Sequence, residues 1–276
     1  MPPIDKRRDA SVAIPTHGST VIAILTADMD VDQLIAAIDD QIERLHMARK
    51  QVGEDFPWYP YDILGNIVHM DRMLTGENRN LEQLAQCMPV ADIGAADGDL
   101  AFALEDVAGW QVDIIDTSAT NMNGLRGART LREHFSSVVD IHDIDLDRQF
   151  SLPRERYGLV FLFGILYHLQ NPYYVLRELA SRSYHCLLST RVARFAGAAQ
   201  TPISHLPVAY LVAPEEANGD ATNYWMFSPS GLERIVERAG WSILERMNVG
   251  DTENSDPSSS EHDERMFMLL RSTTIS

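Results

Sequence analysis

The spacing of hydrophobic residues changes near residue 85. Before that point, apolar side chains recur every three or four positions from Leu34 to Leu45, which is the period of one helix face. Asp30 and Gln33 stand where a capping box would begin this helix. The aromatic-rich segment Phe56–Leu74 follows it. We predict that residues 1–85 form a mostly helical cap or lid.

Downstream of residue 85, short apolar runs alternate with helical patterns. The predicted strands are Val90–Gly94, Val112–Asp116, Val138–His142, Tyr157–Gly164 and His185–Thr190. Two further runs, Trp241–Val249 and Arg265–Arg271, have no helix between them and must therefore pair antiparallel. We predict an α/β fold: a doubly wound, mostly parallel, seven-stranded Rossmann-like sheet with a terminal antiparallel strand and an N-terminal helical cap.

Two segments depart from this alternation. Residues 191–227 contain scattered prolines and no clear strand or helix pattern. A loop of this length inside a compact domain is usually functional, so we predict an inserted substrate loop within a domain of residues 86–276. The polar, acidic tract 251–264 separates the last two strands, and its composition predicts mobility.

The charge and the hydropathy pattern narrow the range of partners. The 276 residues carry a formal net charge of −17, and no basic stripe is evident, so nucleic acid is disfavoured. No apolar run approaches the roughly 20 residues of a membrane span. Without the apolar core of a secretory signal, a cytoplasmic location is the expectation. The oligomeric state stays open, and a homodimer is one candidate.

Neither the cysteines nor the acidic runs form a recognisable metal motif. Cys87 and Cys186 cannot build a disulfide framework, nor a zinc site without histidine ligands. The D-x-D-x-D run at Asp143 begins like a calcium loop. Its sixth and twelfth positions, however, are Arg148 and Arg154 instead of glycine and glutamate. We therefore predict no bound metal.

Small and acidic residues follow the first three predicted strands. The turn from Gly94 to Gly98 would let a ligand approach main-chain amides at the start of a helix. Asp116 ends the second strand, where a carboxylate can accept hydrogen bonds from both hydroxyls of a ribose, and Asp143 follows the third strand. Ligands of such sheets bind beyond the carboxyl ends of the strands. This arrangement fits an adenosine without a pyrophosphate.

The segment from about Val90 to Arg271 resembles the class I S-adenosylmethionine-dependent methyltransferases. Residues 92–98, DIGAADG, match the family motif D-x-G-x-G-x-G, with Ala96 in place of the middle glycine. The resemblance implies S-adenosyl-L-methionine as cofactor, a ribose held by Asp116, and an adenine read by Asp143 and the amide of Ile144. The implied cofactor-binding residues are Asp92, Gly94, Ala95, Ala96, Gly98, Asp116, Thr117, Asp143, Ile144, Phe163 and Gly164.

A second resemblance is more specific. Gly164–Leu179 is similar to a segment of methyltransferases related to the tRNA wobble-uridine carboxymethyltransferase. That enzyme grips a carboxylated cofactor with a tyrosine, which matches Tyr167, and with a lysine, which has no counterpart in residues 56–62. The missing lysine and the negative charge favour a plain methyl donor and a small-molecule acceptor. A tRNA-modifying methyl- or carboxymethyltransferase and a non-catalytic cofactor-binding scaffold are the alternatives.

Candidate catalytic and substrate residues also stand near strand ends. Tyr167 and His168 follow the fourth strand, where they could act in catalysis or line the pocket. Trp58 could meet the sulfonium through its ring face or serve in packing. The candidates for acceptor binding are Tyr59, Tyr61, Arg191, Tyr224 and Trp225. For Arg191 a surface ion pair is the alternative to holding an anionic acceptor.

Overall fold

The computed structural model describes residues 29–53, 55–258 and 261–275. The helices are α1 (Val31–Val52), α2 (Gly65–Met73), α3 (Leu81–Ala85), α4 (Asp99–Ala108), α5 (Arg126–Phe135), α6 (Pro172–Ala180) and α7 (Pro229–Arg238). The strands are β1 (Val90–Ile93), β2 (Val112–Asp116), β3 (Asp140–Asp143), β4 (Tyr157–Phe163), β5 (Ser183–Val192), β6 (Phe195–Ala196), β7 (Thr201–Pro202), β8 (Ala209–Leu211), β9 (Trp225–Phe227), β10 (Trp241–Gly250) and β11 (Glu264–Ser272).

The first described helix begins where the sequence predicts. The Asp30 carboxylate accepts a hydrogen bond from the Gln33 amide at 3.0 Å, and the Gln33 side chain accepts one from the Asp30 amide at 3.1 Å. This reciprocal pair forms the predicted capping box. Buried residues of α1, α2 and α3 share one apolar core with α4 and one face of the sheet. The N-terminal helices therefore cover that face; the division between residues 85 and 86 stays a prediction.

The main sheet confirms the predicted class. Its main path has the predicted seven strands, in the order β10-β11-β5-β4-β1-β2-β3, and β8 and β9 join it beside β5 to make nine strands. Strands β1 to β5 pair in parallel, whereas β11 pairs antiparallel with both β5 and β10. The order reverses between β1 and β4, because the chain passes from β1 outward to β3 and then returns to the other side. The carboxyl ends of these two strands therefore flank the crevice where ligands of such sheets bind.

Two apolar layers enclose the sheet. One contains the N-terminal helices with α4 and α5, and the other contains α6 and α7. Every residue of β4 is buried, as its unbroken apolar sequence predicts for a strand covered on both faces. None of the described helices is long and apolar enough to cross a membrane.

Several element boundaries differ from the sequence prediction, and two of them bear on the turn after β2 and on the insert. The helix predicted from residue 121 starts at Arg126, because Gly124 and Leu125 adopt left-handed φ values of 66° and 65°. The preceding residues form a turn around the Asn121 side chain, which accepts hydrogen bonds from the amides of Asn123 and Leu125. Strand β5 extends to Val192, so the interruption predicted from residue 191 begins after this strand and contains β6 to β9.

The prediction of mobility for the acidic tract is wrong for residues 255–257. All three are buried. The Ser255 hydroxyl donates to the buried Glu264 carboxylate, which also forms a salt bridge with Arg194. The amide of Ala217 donates to the carbonyl of Pro257 at 3.0 Å. A tract that is polar in composition is therefore anchored, because it supplies hydrogen bonds to a buried ion pair and to the inserted segment.

Candidate functional site

Two glycines determine the conformation of the turn after β1. Gly94 and Gly98 have φ values of 70° and 85°, and a Cβ atom at either position would lie within 2.7 Å of a neighbouring isoleucine side chain. Glycine is therefore needed at both positions for conformation and for space. Ala96 also adopts a left-handed φ, of 54°, with its methyl group accommodated. The main chain of the turn leads directly into the first turn of α4.

Asp116 joins this turn to the end of β2. Its carboxylate accepts hydrogen bonds from the Ala96 amide at 3.0 Å, the Asn121 side-chain amide at 3.0 Å and the Thr117 amide at 2.7 Å. Burial raises the pKa of Asp116, while these three hydrogen bonds oppose the rise. The structure thus brings together the predicted glycine turn and the predicted ribose acid. Asn121, which the sequence analysis missed, locks them by also donating to the Ala96 carbonyl.

A second carboxyl group beneath the turn, that of Asp92, is only partly hydrogen-bonded. Asp92 is almost fully buried, and its Oδ2 atom has no hydrogen-bond partner among the described residues. Burial, with repulsion from Asp116 and Asp99, raises its pKa to about 8. At neutral pH this acid is therefore largely protonated, and a cationic group placed nearby would favour its ionised form.

The end of β3 corrects one predicted contact. The Ile144 amide donates to the Asp116 carbonyl at 2.8 Å, because the parallel ladder between β2 and β3 continues past Asp143. The prediction that this amide reads an adenine edge is therefore wrong for this arrangement. Asp143 accepts two hydrogen bonds from Ser118, which lower its pKa. It lies beside Asp116 in the register of the two strands.

An aromatic strap crosses the glycine turn. We define the strap as residues 56–61; its Tyr59 amide donates to the buried Asp97 carboxylate at 2.7 Å. The Asn123 side chain donates to Asp97 at 2.7 Å and to the Pro57 carbonyl at 3.2 Å. Asp97 is a variable position of the family motif, so the sequence analysis did not single it out. It fixes the strap against the turn.

Of the three strap aromatics predicted at the site, Tyr59 is the one that reaches it. Burial raises the pKa of Tyr59 to about 12, with additions from Tyr167 and Tyr61, so its hydroxyl keeps its proton at neutral pH. Tyr61 meets the Tyr59 ring edge-on at 5.3 Å but is 67% exposed. The Trp58 ring stacks near Phe56 and Arg49, which are contacts of a packing residue. They lend no support to a role at the sulfonium.

Tyr167 and His168 lie in a short 3₁₀ turn beyond β4. The Nδ1 atom of His168 lies 2.9 Å from the Thr222 hydroxyl and 3.2 Å from the Thr222 carbonyl. Because the Thr222 hydroxyl donates its single proton to Asp220 at 2.6 Å, it can only accept from Nδ1. Nδ1 therefore carries the imidazole proton, and Nε2 offers a lone pair. Burial lowers the pKa of His168, which keeps the ring neutral.

The insert supplies the wall behind these residues. The Tyr224 amide donates to the Tyr167 carbonyl at 2.9 Å, and the Trp225 indole donates to the Gln170 carbonyl at 3.3 Å. Both predicted acceptor residues thus lie against the segment that carries His168. Phe163 is buried at the end of β4.

Two arginines lie at the site, and one of them, Arg265, was not predicted from the sequence. A Cβ atom built on Gly164 would lie 3.4 Å from an Arg265 guanidinium nitrogen and 3.9 Å from the Tyr167 hydroxyl. Arg265 therefore extends from the start of β11 to the end of β4. Arg191 is 3% exposed and pairs with Asp263. The alternative prediction of an ion pair is therefore right about the pairing but wrong about a surface location for Arg191. No local motif marks Arg265, because its place depends on the antiparallel register.

A cluster with metal-ligating side chains lies elsewhere, near the opposite end of β2 and β3. It consists of Asp113, Asp140 and His142. Arg154 donates to Asp113 at 2.7 Å and to Asp140 at 3.2 Å, and the Tyr157 hydroxyl donates to Asp113 at 2.6 Å. Arg154 bonds to both carboxylates, so the cluster is a salt-bridge network at the base of the sheet, in which the Asp113 side chain is buried and that of Asp140 is half-exposed.

Comparisons with known proteins agree with this geometry. The model of a methyltransferase domain family matches residues 69–246. The N-terminal domain of EvdMO1, solved with SAH bound, superposes with a TM-score of 0.53 at 16% identity, covering 85% of this chain and 96% of that one. The same domain solved in the presence of SAH and D-fucose gives the same TM-score and identity, over 84% and 97%. The cyclase SpnF superposes with a TM-score of 0.52 at 12% identity, over 88% and 97%. At these identities the superpositions establish the fold. No curated protein sequence gives a significant match.

Proposed function

The chain belongs to the methyltransferase domain family, and on that premise we propose that it transfers a methyl group from S-adenosyl-L-methionine to a small-molecule acceptor. One observation carries the proposal: the Asp116 carboxylate is fastened directly to the glycine turn, 3.0 Å from the Ala96 amide. This pairing supports placing ribose hydroxyls at Asp116 and an amino-acid tail along the turn. Neither the glycine turn alone nor Asp116 alone would indicate a nucleoside site.

The residues present fit this cofactor on two further counts. A cationic amino group at the turn would favour ionisation of the nearby Asp92 carboxyl, whose Oδ2 atom has no hydrogen-bond partner among the described residues. Glycines at residues 94 and 98 give the turn the left-handed backbone that such main-chain sites use. When bound, S-adenosylmethionine supplies a methyl group activated by a sulfonium. The protein's task is then alignment and exclusion of water, and orientation contributes roughly 7–11 kcal/mol at best.

His168 is the proposed general base for an acceptor that must lose a proton. Its Nε2 lone pair is free because Nδ1 donates to Thr222, and the lowered pKa keeps the ring neutral and ready to accept. General-base catalysis of this kind contributes typically ~10²–10⁴-fold. Thr222 and Asp220 act as positioning residues, because they fix the tautomer of the ring without contacting the acceptor.

The small size of the acceptor is proposed from charge and enclosure. A net charge of −17 opposes a polynucleotide, and the insert covers the far wall of the crevice through Tyr224 and Trp225. The D-fucose present with the EvdMO1 domain is a small molecule as well. A tRNA acceptor and a non-catalytic scaffold are the rival functions that an experiment must separate.

The test uses S-adenosylmethionine labelled in its methyl group. The full chain is incubated with a deproteinised metabolite extract and, separately, with bulk tRNA. We expect label in a low-molecular-weight product, and much less with His168→Asn, while Arg148→Asn on the surface serves as the matched control. Label in tRNA would overturn the small acceptor. If S-adenosylhomocysteine binds but neither arm is labelled, the scaffold reading gains.

A further inference from the structure

We propose that the methyl acceptor carries a carboxylate, and that Arg265, backed by Arg191, binds it. This inference rests on the proposed function and names the chemical class of its substrate. The subsite lies between the start of β11, the end of β5 and the turn after β4. Its contacting residue is Arg265, whose side chain is 35% exposed.

The register of the sheet places the two arginines together. Arg265 and Arg191 are direct partners in the antiparallel ladder between β11 and β5. Opposite residues of such a ladder extend their side chains to the same face. Asp263 lies within 4 Å of both, since it accepts from the Arg191 Nε atom and stands 3.7 Å from the Arg265 Nε atom. Two cations thus share one carboxylate, which leaves a net positive charge.

The burial of Arg191 makes this charge unusual. Both terminal guanidinium nitrogens are buried without a hydrogen-bond partner among the described residues. A buried cation that is only partly paired is costly, and an anion bound nearby would reduce that cost. In this position Arg191 raises the positive potential behind Arg265. We assign it that electrostatic role and assign the direct contact to Arg265.

The positive charge lies at the end of β4, beside the turn that carries Tyr167 and His168. Arg265 reaches Gly164 and Tyr167, and the centre of its guanidinium lies 5.9 Å from the centroid of the Tyr167 ring. Both arginines are close enough to His168 to lower its pKa. An anionic group bound here would place the rest of a small acceptor between the proposed base and the glycine turn.

The net charge favours a carboxylate over a phosphate. Two arginines and one carboxylate, Asp263, leave one positive charge at the subsite, which a monoanion balances and a phosphate dianion exceeds. A guanidinium can hold either anion through two parallel N–H donors, so the choice between them rests on this charge balance. The proposal therefore commits to a monocarboxylate acceptor.

The experiment observes the arginine side chains directly and does not require methyl transfer to occur. Arginine Nε–Hε signals of the full chain are followed by NMR while benzoate is added, with benzamide as the neutral isostere, in the presence and absence of S-adenosylhomocysteine. We expect a saturable shift of the Arg265 signal with benzoate, little with benzamide, and none at the exposed Arg148. Arg265→Met should weaken benzoate binding about tenfold or more, whereas Arg148→Met should not.

The possible results test the carboxylate subsite and the proposed function separately. Equal responses to benzoate and benzamide, or an Arg265→Met variant that binds benzoate like the wild type, would overturn the carboxylate subsite even if S-adenosylhomocysteine binds. Failure to bind S-adenosylhomocysteine would defeat the proposed function, and the benzoate comparison would still judge the arginines. A cofactor analogue carboxylated on its methyl group provides the last arm. If Arg265 favours this analogue strongly over S-adenosylmethionine, the anion belongs to the cofactor and the acceptor assignment falls.

Discussion

Replacing Asp116 by alanine tests the cofactor site most sharply. Its carboxylate accepts three N–H groups, from Ala96, Thr117 and Asn121. Ribose hydroxyls would add to this set, and the lost partners should cost ~1–3 kcal/mol of cofactor affinity. At 1.4 kcal/mol per tenfold, the dissociation constant should rise about 5- to 150-fold. Isothermal titration with S-adenosylhomocysteine measures it.

Two further variants separate this loss from general damage. Asp40→Ala removes an exposed carboxylate from α1 and should leave the affinity unchanged. Asp116→Asn keeps one acceptor oxygen, so its affinity should fall between wild type and Asp116→Ala. Circular dichroism and the melting temperature establish that each variant is folded. A folded Asp116→Ala protein that binds S-adenosylhomocysteine as the wild type does would refute the placement of the ribose.

Three other expectations follow from the same structure. His168→Asn should lower kcat more than it changes KM. It should also remove the limb of the pH–rate profile that rises with pH through a pKa below the usual 6.5 of histidine. If the variant retains this limb, His168 is not the base. Asp92 has a raised folded-state pKa of about 8, so its contribution to stability is full below the unfolded value near 4 and is lost as the pH rises toward 8. Asp92→Asn should accordingly flatten the loss of stability between pH 4 and 8 in urea unfolding, and a parallel curve would count against this. Gly98→Ala should destabilise the protein by about 1–3 kcal/mol more than Gly109→Ala. Both glycines have a positive φ, but only at Gly98 would an added Cβ atom clash, since it would lie 2.6 Å from the Ile114 side chain. Equal losses of stability would show that this clash relaxes.

The cofactor half of the site was accessible from sequence. Parallel strands end at one edge of a sheet, so a glycine turn after one strand and an acid at the end of the next must lie together. Gly94 and Asp116 follow this rule. The contact assigned to the Ile144 amide failed, because the sequence does not reveal how far the ladder between two strands continues.

The acceptor half depends on longer-range geometry. Arg265 lies at the site only because the register of the antiparallel ladder sets it against Arg191. The tautomer of His168 depends on Thr222, which reaches it through an insert without regular periodicity. Burial of residues 255–257 likewise depends on the ion pair that they cover, which composition does not indicate.

The most direct test of the central claim is a crystal structure of the chain with S-adenosylhomocysteine. We expect both ribose hydroxyls within hydrogen-bonding distance of the Asp116 carboxylate, with the amino-acid tail against the main chain at Gly94. A ligand bound elsewhere, or a crevice filled by the Tyr59 side chain at saturating ligand, would contradict the account.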